Sequence, residues 1–227
     1  MHIKGLQKLT LLDYPEKLAC LVFTGGCNFR CPFCHNASLV IGDDNDEISE
    51  GDFFEYLKKR NGIIEGVCIS GGEPTLQHGL DEFIKKIKNL GFLVKLDTNG
   101  YRPDVLINLV ENKLVDYVAM DIKNSKEKYS MTTGIDNLDI SLIENSVDYL
   151  LSGKVDYEFR TTVVRELHSH NDFIKIGEWI KGAKRYFLQT FHDSGDLISN
   201  GFGSYDENEM KNLVKLLNPF VPSTKIR

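Results

Sequence analysis

Residues 18–36 read Leu18-Ala19-Cys20-Leu21-Val22-Phe23-Thr24-Gly25-Gly26-Cys27-Asn28-Phe29-Arg30-Cys31-Pro32-Phe33-Cys34-His35-Asn36. Leu18 to Phe23 form a short apolar run, the pattern of a buried strand, and Gly25-Gly26 break it. Cys27, Cys31 and Cys34 follow at a C-x3-C-x2-C spacing. They therefore sit on a loop at the carboxyl end of a first strand, where all three can turn inward toward one small inorganic body. Three thiolates are one fewer than a closed structural zinc site takes, and one fewer than a fully protein-ligated iron–sulfur cluster takes. On a four-iron cluster they leave one iron open to a substrate or cofactor.

A zinc knuckle with its fourth ligand from elsewhere is the competing reading, with His35, Cys20 and Cys68 available. Cys20 and Cys68 lie in apolar strand-like runs, where a free cysteine behaves as a small buried hydrophobe. His35 adjoins Cys34 and is poorly placed to close the same tetrahedron. A disulfide framework is disfavoured because the chain has five cysteines, an odd count. It is also disfavoured because Met1 to Thr10 lacks the apolar core of a secretory signal.

Beyond this stretch, short β-branched or apolar runs alternate with helical patterns, as in a chain of βα units. Phe53, Phe54 and Leu57 mark a helix capped by Ser49, with Asp52 three residues on. Gly66 to Ser70 is a second strand, followed by a helix through Phe83, Ile84, Ile87 and Leu90 that stops at Gly91. Phe92 to Leu96 is a third strand, and its helix starts near Pro103. Val115 to Ile122 is a fourth, with a helix from Ile140 to Leu150. Tyr157 to Val164 is a fifth, with Asn171 as the cap of a helix holding Ile174 and Trp179. Arg185 to Phe191 is a sixth, followed by a helix from about Asp206 to Leu217. Six βα units in 227 residues leave room for one domain, residues 1–227, with a short N-terminal extension at residues 1–17. The acidic segment from Ile41 to Glu47 reads as a solvated surface connection.

The cysteine spacing, with aromatic Phe33 just before the third cysteine, resembles the radical S-adenosylmethionine (SAM) enzymes. Leu12-Asp13-Tyr14-Pro15 together with Phe23 to Asn36 is similar to the subgroup that activates glycyl-radical enzymes. The resemblance implies an α/β fold, a partial (β/α)6 barrel open on one side, which agrees with the six units counted above. It implies a [4Fe–4S] cluster on Cys27, Cys31 and Cys34, with SAM chelating the open iron. An external donor of flavodoxin or ferredoxin type would supply the electron that cleaves SAM. The resulting 5′-deoxyadenosyl radical would take a hydrogen from a glycine Cα of a partner protein. Anaerobic ribonucleoside-triphosphate reductase is the expected partner and pyruvate formate-lyase the alternative, because the ferredoxin-like cysteine runs of other activators are lacking. A compact enzyme acting on a small molecule, such as a deazapurine synthase, is a further alternative.

In parallel barrels functional groups gather at the carboxyl ends of strands, and each remaining motif follows a strand. Ser70-Gly71-Gly72-Glu73-Pro74 alone would be only a turn. The resemblance assigns Gly71, Gly72 and Glu73 to the methionine amino group of SAM, with the Glu73 carboxylate able to accept from the ammonium. Asp97, Thr98 and Asp121 match positions around the methionine carboxylate and, in some members, a monovalent cation. Lys123 would pair with that carboxylate, although a plain Asp–Lys salt bridge at a barrel rim explains the same residues. Arg160 stands in an otherwise apolar strand and needs an anionic partner, since an unpaired buried charge is costly. SAM would serve, and so would Glu73 or Glu158. His192 matches a position near SAM, and Phe33 one against the adenine. His168 and His170 read as surface residues.

The net charge of −6 argues against a dominant nucleic-acid surface, which would be basic. No apolar run approaches the ~20 residues needed to cross a bilayer. Reduced cysteines and the lack of an export signal point to the cytoplasm, and the cluster calls for protection from oxygen.

Overall fold

The computed structural model describes residues 1–42 and 47–227. Residues 43–46 of the expected acidic connection lie outside the described residues. One eight-stranded sheet runs through the molecule with its strands in sequence order. Strand β1 (Ile3–Thr10) is antiparallel to β2 (Ala19–Thr24). Strands β3 (Gly66–Gly71), β4 (Leu93–Thr98), β5 (Tyr117–Asp121), β6 (Asp156–Val163) and β7 (Tyr186–Thr190) then add in parallel, and the short β8 (Lys225–Ile226) closes the order. The sheet is open, with β1 and β8 at its edges. The six parallel strands β2 to β7 are the six expected units. Within residues 1–17, the expected extension, lies the edge strand β1.

Helices α1 (Ala37–Ile41) and α2 (Glu50–Lys58) follow β2, and α3 (Leu80–Asn89) and α4 (Pro103–Glu111) follow β3 and β4. After β5 come α5 (Tyr129–Thr133) and α6 (Ile140–Leu151), then α7 (His170–Trp179) and α8 (Glu207–Leu217) after β6 and β7. Right-handed crossovers between strands taken in order wind the helices onto one face of the sheet. The two-residue alternation of each strand sends Val67, Ile69, Val94, Leu96, Val118 and Met120 into that helix-covered core. Leu21, Cys68 and Tyr117 point to the other face, where they pack with Tyr14.

Two expectations are corrected here. Helix α7 is capped by Ser169, not Asn171: the Ser169 side chain accepts from the Asp172 amide while Asp172 accepts from the Ser169 amide. His168 is not on the surface but buried. Its Nδ1 accepts from the Val164 amide, which leaves Nε2 to donate to the Lys123 carbonyl at 2.9 Å. Burial pushes the pKa of this imidazole down, so it stays neutral and braces the backbone under Lys123. His170 is exposed, as expected.

Candidate cluster and cofactor site

A cavity of about 380 Å³ opens at the carboxyl ends of the parallel strands. Cys27, Cys31, Phe33 and Cys34 line it from the loop after β2, Gly71, Gly72 and Glu73 from the loop after β3, and Asp97 and Thr98 from β4. Asp121, Lys123 and Arg160 complete the wall from β5 and β6. Every expected site residue thus reaches one cavity except His192, which is exposed beyond β7 and does not line it. Residues not singled out in the sequence also line it: Gln7, Asp13, Asn99, Thr162 and Gln189.

The cysteine loop is held by backbone contacts. The Gly72 amide donates to the Thr24 carbonyl and the Glu73 amide to the Gly26 carbonyl, both at 2.8 Å. A Cβ on Gly72 would stand 1.9 Å from the Gly26 oxygen, and Gly71 has φ +110° with the Thr24 backbone 2.4 Å from its would-be Cβ. The glycines are required where two chain segments press together, a reason separate from ligand approach. On the other flank the Arg30 amide donates to the Thr133 carbonyl at 2.8 Å, which docks α5 on the loop.

Glu73 is 1 % exposed. Its Oε1 accepts from the Thr75 amide and hydroxyl and from the Thr98 hydroxyl (2.8 Å), and its Oε2 from the Asn99 amide (2.7 Å). The carboxylate ties the loop after β3 to the end of β4. Burial raises its pKa, against the pull of these hydrogen bonds.

Arg160 meets neither Glu73 nor Glu158 as its ion-pair partner. Its Nε donates to Asp121 at 2.9 Å and its Nη1 to Asp97 at 3.1 Å. Lys123 reaches the other Asp121 oxygen at 2.9 Å, and Lys95 pairs with the other oxygen of Asp97. Burial opposes ionisation of both acids, yet Arg160 with Lys123 holds Asp121, and Arg160 with Lys95 holds Asp97, below the usual carboxylate range. The oxygens expected around a monovalent cation already carry side-chain cations, and Thr98 gives its hydroxyl to Glu73.

The donor set suits an iron–sulfur cluster, because Cys27, Cys31 and Cys34 line one cavity. All five thiols are free. The Cys27 sulfur accepts from the Phe29 amide at 3.3 Å and lies 3.8 Å from Asn99 Nδ2, the kind of N–H···S contact that stabilises cluster thiolates. Asn99 Oδ1 accepts from the Tyr101 amide, so its Nδ2 must face Asn28, whose Oδ1 accepts at 2.8 Å. That fixes the Asn28 amide and leaves its Nδ2 buried without a partner among the described residues. Burial pushes the thiols of Cys27 and Cys31 up to about 11 and about 12, so loading metal must displace their protons.

Residues 21–179 match the family described as the Radical SAM superfamily. The chain belongs to that superfamily. A Methanocaldococcus jannaschii protein named as a candidate glycyl-radical enzyme activating enzyme is 33 % identical to it over 233 aligned residues, 99 % of this chain and 95 % of the relative. This radical SAM chain is an enzyme of that type. Among solved structures, Streptococcus suis SuiB bound to its precursor peptide SuiA superposes with a TM-score of 0.71 at 14 % identity, covering 91 % of this chain and 48 % of SuiB. A domain of the pyruvate-formate lyase-activating enzyme from Bacteroides vulgatus gives 0.59 at 16 % identity, covering 72 % of this chain and 99 % of that domain. These two likenesses speak for the fold. The family carries a [4Fe–4S] cluster and SAM. No helix among the described residues is long and apolar enough to cross a membrane.

Three missed residues had a signal. Lys95 interrupts the apolar run Phe92 to Leu96, two positions before Asp97, so strand alternation places both on one face. Ser169 and Asp172 carried the S-x-x-D spacing of a helix start. Asn28 and Asn99 had none, since only the fold brings them together.

Proposed function

We propose that this enzyme activates a glycyl-radical enzyme, most specifically anaerobic ribonucleoside-triphosphate reductase. Carrying the reading is the 33 % identity to a candidate activating enzyme, which spans nearly all of both chains. Five cysteines leave two beyond the motif, too few for an additional four-cysteine cluster, which favours the compact activators. When bound, the cluster and SAM supply one-electron cleavage of SAM and removal of a hydrogen atom from a glycine Cα.

The chain's own residues bind, orient and exclude water. Cys27, Cys31 and Cys34 hold the cluster with one iron open. Phe33, 4 % exposed in the cavity wall, offers an apolar face to the adenine. The loop Gly71-Gly72-Glu73 offers backbone to the methionine amino group, while Lys123 and Arg160 face its carboxylate. No side-chain acid or base is needed, because the cofactor carries the bond-breaking chemistry. A flavodoxin- or ferredoxin-like protein serves as electron donor in this reading.

The test is anaerobic reconstitution with SAM, a reductant and candidate partner proteins, read by electron paramagnetic resonance. A SAM-dependent glycyl radical on the ribonucleotide reductase is expected. The radical appearing only on pyruvate formate-lyase would transfer the reading to that partner. Deuterium from a labelled purine or pterin, and none from any glycine Cα, would replace it with a small-molecule enzyme.

A further inference from the structure

Lys95, Asp97, Arg160, Asp121 and Lys123 form one alternating series of charges across the inner face of β4, β5 and β6. Three cations share two carboxylates, so both ends of the series are positive. Lys95, the sealed end, is 1 % exposed and has Asp97 as its ion-pair partner. Lys123, the open end, lines the cavity beside the cysteines. Among the described residues no other acid pairs with these three cations: Asp13, also in the cavity wall, accepts from the Thr10 hydroxyl. Glu73 gives its hydrogen bonds to Thr75, Thr98 and Asn99. Glu158, next on β6, is met by Arg227 at 2.8 Å and by the Tyr117 hydroxyl at 2.9 Å.

We infer that Lys95 is a positioning residue for an anionic group of the bound ligand, acting through the series without touching it. By satisfying Asp97 from below, the Lys95 ammonium frees Arg160 and Lys123 to present one uncompensated positive charge to the cavity. The group that completes the series carries one negative charge. On the proposed function it is the carboxylate of SAM, and the inference rests on that reading. Lysine is suited to this buried place because its long apolar stem packs within the strand layer while its charge stays with one partner.

The test compares SAM with decarboxylated SAM, which keeps the sulfonium, adenosine and amine but lacks the anion. Binding is measured by equilibrium titration of the anaerobically reconstituted chain, with iron per chain determined in each variant. A unit charge acting at roughly 10 Å through an effective dielectric of about 20 changes an affinity about tenfold. Lys95→Met, which preserves the stem, should weaken SAM about tenfold and decarboxylated SAM less than about twofold, with iron content unchanged. The double variant Lys95→Met/Asp97→Asn removes one charge of each sign and restores the surplus, so its SAM affinity should return to within about threefold of the wild type. Equal losses for both ligands, or a double variant as weak as the single one, would make Lys95 a structural counter-ion only. Should Lys95→Met fail to load iron, Asp97→Asn decides instead: it raises the surplus by one charge, so it should bind SAM more tightly and change decarboxylated SAM less than about twofold, and equal changes for both ligands would overturn the inference. A reconstituted wild type that binds neither ligand would sink the SAM reading itself, a result distinct from either outcome.

Discussion

The two ends of the sheet's inner face are built from the same residue types and behave as opposites. At the amino end, Glu158 is wholly buried and receives Arg227 and the Tyr117 hydroxyl, while Arg185 answers Asp156 at 2.9 Å. Arg227 also lies 3.8 Å over the Phe187 ring, and Tyr14 packs against Tyr117. Lys184 reaches Asp156 as well, at 3.6 Å, so three cations share two acids at this end too, but all three stand partly in solvent, which screens them. At the carboxyl end, Lys95, Arg160 and Lys123 share their two acids largely out of solvent and face a cavity. Solvent-screened charge makes a plug; buried surplus charge over a cavity makes a binding site.

The largest effects should come from the cysteine loop in the cavity wall. Alanine at Cys27, Cys31 or Cys34 should abolish cluster loading and SAM cleavage, since two thiolates cannot hold the same open-sited cluster. Cys20→Ala or Cys68→Ala should retain iron and cost about 1–2 kcal/mol, as for other small core truncations. Iron and sulfide analysis with chemical denaturation separates these outcomes, and a well-folded Cys68 variant without iron would overturn the ligand assignment.

Gly72→Ala comes next. Its new methyl group would meet the Gly26 carbonyl at 1.9 Å, one residue before Cys27, and overpacking of this kind costs about 1–3 kcal/mol. The variant should lose iron as well as SAM binding, because the glycine keeps the cysteine loop in place. Intact iron with weakened SAM would instead return the glycine to a role in ligand approach alone.

The sequence made one part of this architecture legible and hid another for physical reasons. Strands β2 to β7 and their helices announce themselves through two- and 3.6-residue periods because each buries a face. Strand β1 does not, since Lys4, Gln7 and Lys8 interrupt it as charged and polar residues do on an edge strand, and its middle is largely solvent-facing. The cysteines are legible because metal chemistry demands a fixed spacing. Asn28 and Asn99 are 71 positions apart, and no local pattern reports a contact at that separation. His168 was misread because burial of a polar ring depends on partners, here Val164 and Lys123, that only the folded chain supplies.

Smaller and confined to stability is the plug. Glu158→Gln should destabilise the chain by about 1–3 kcal/mol, the cost of leaving Tyr117 and the partly exposed Arg227 with a neutral partner, while SAM affinity stays within about twofold. Asp121→Asn should do the reverse at the other end, changing SAM affinity more than melting temperature, because both of its cations already face the cavity. Parallel melting curves and binding titrations on the two variants test the contrast. Loss of SAM affinity in Glu158→Gln would mean that the two ends are coupled and the comparison is too simple.

The smallest effect expected is a difference in acid response within the carboxyl end. Asp97 and Asp121 have folded pKa values below the unfolded range, so the stability they contribute is present above about pH 4 and is lost as pH falls through their depressed values. Glu73 has the opposite sign. Burial raises its folded pKa above its unfolded value, so ionisation at neutral pH costs stability, and protonation in the folded state recovers it as pH falls. Above the ordinary carboxylate range the aspartates are silent, and Glu73 is the carboxylate of this group whose protonation adds stability as pH falls toward that range. The reduced, iron-free chain should therefore gain about 1–3 °C in melting temperature over that fall in pH, measured against Glu73→Gln as the control that cannot titrate. The gain should vanish in the variant. A wild type and variant that track one another through the fall would show that the hydrogen bonds from Thr75, Thr98 and Asn99 outweigh burial, leaving Glu73 an ionised tie rather than a strained one.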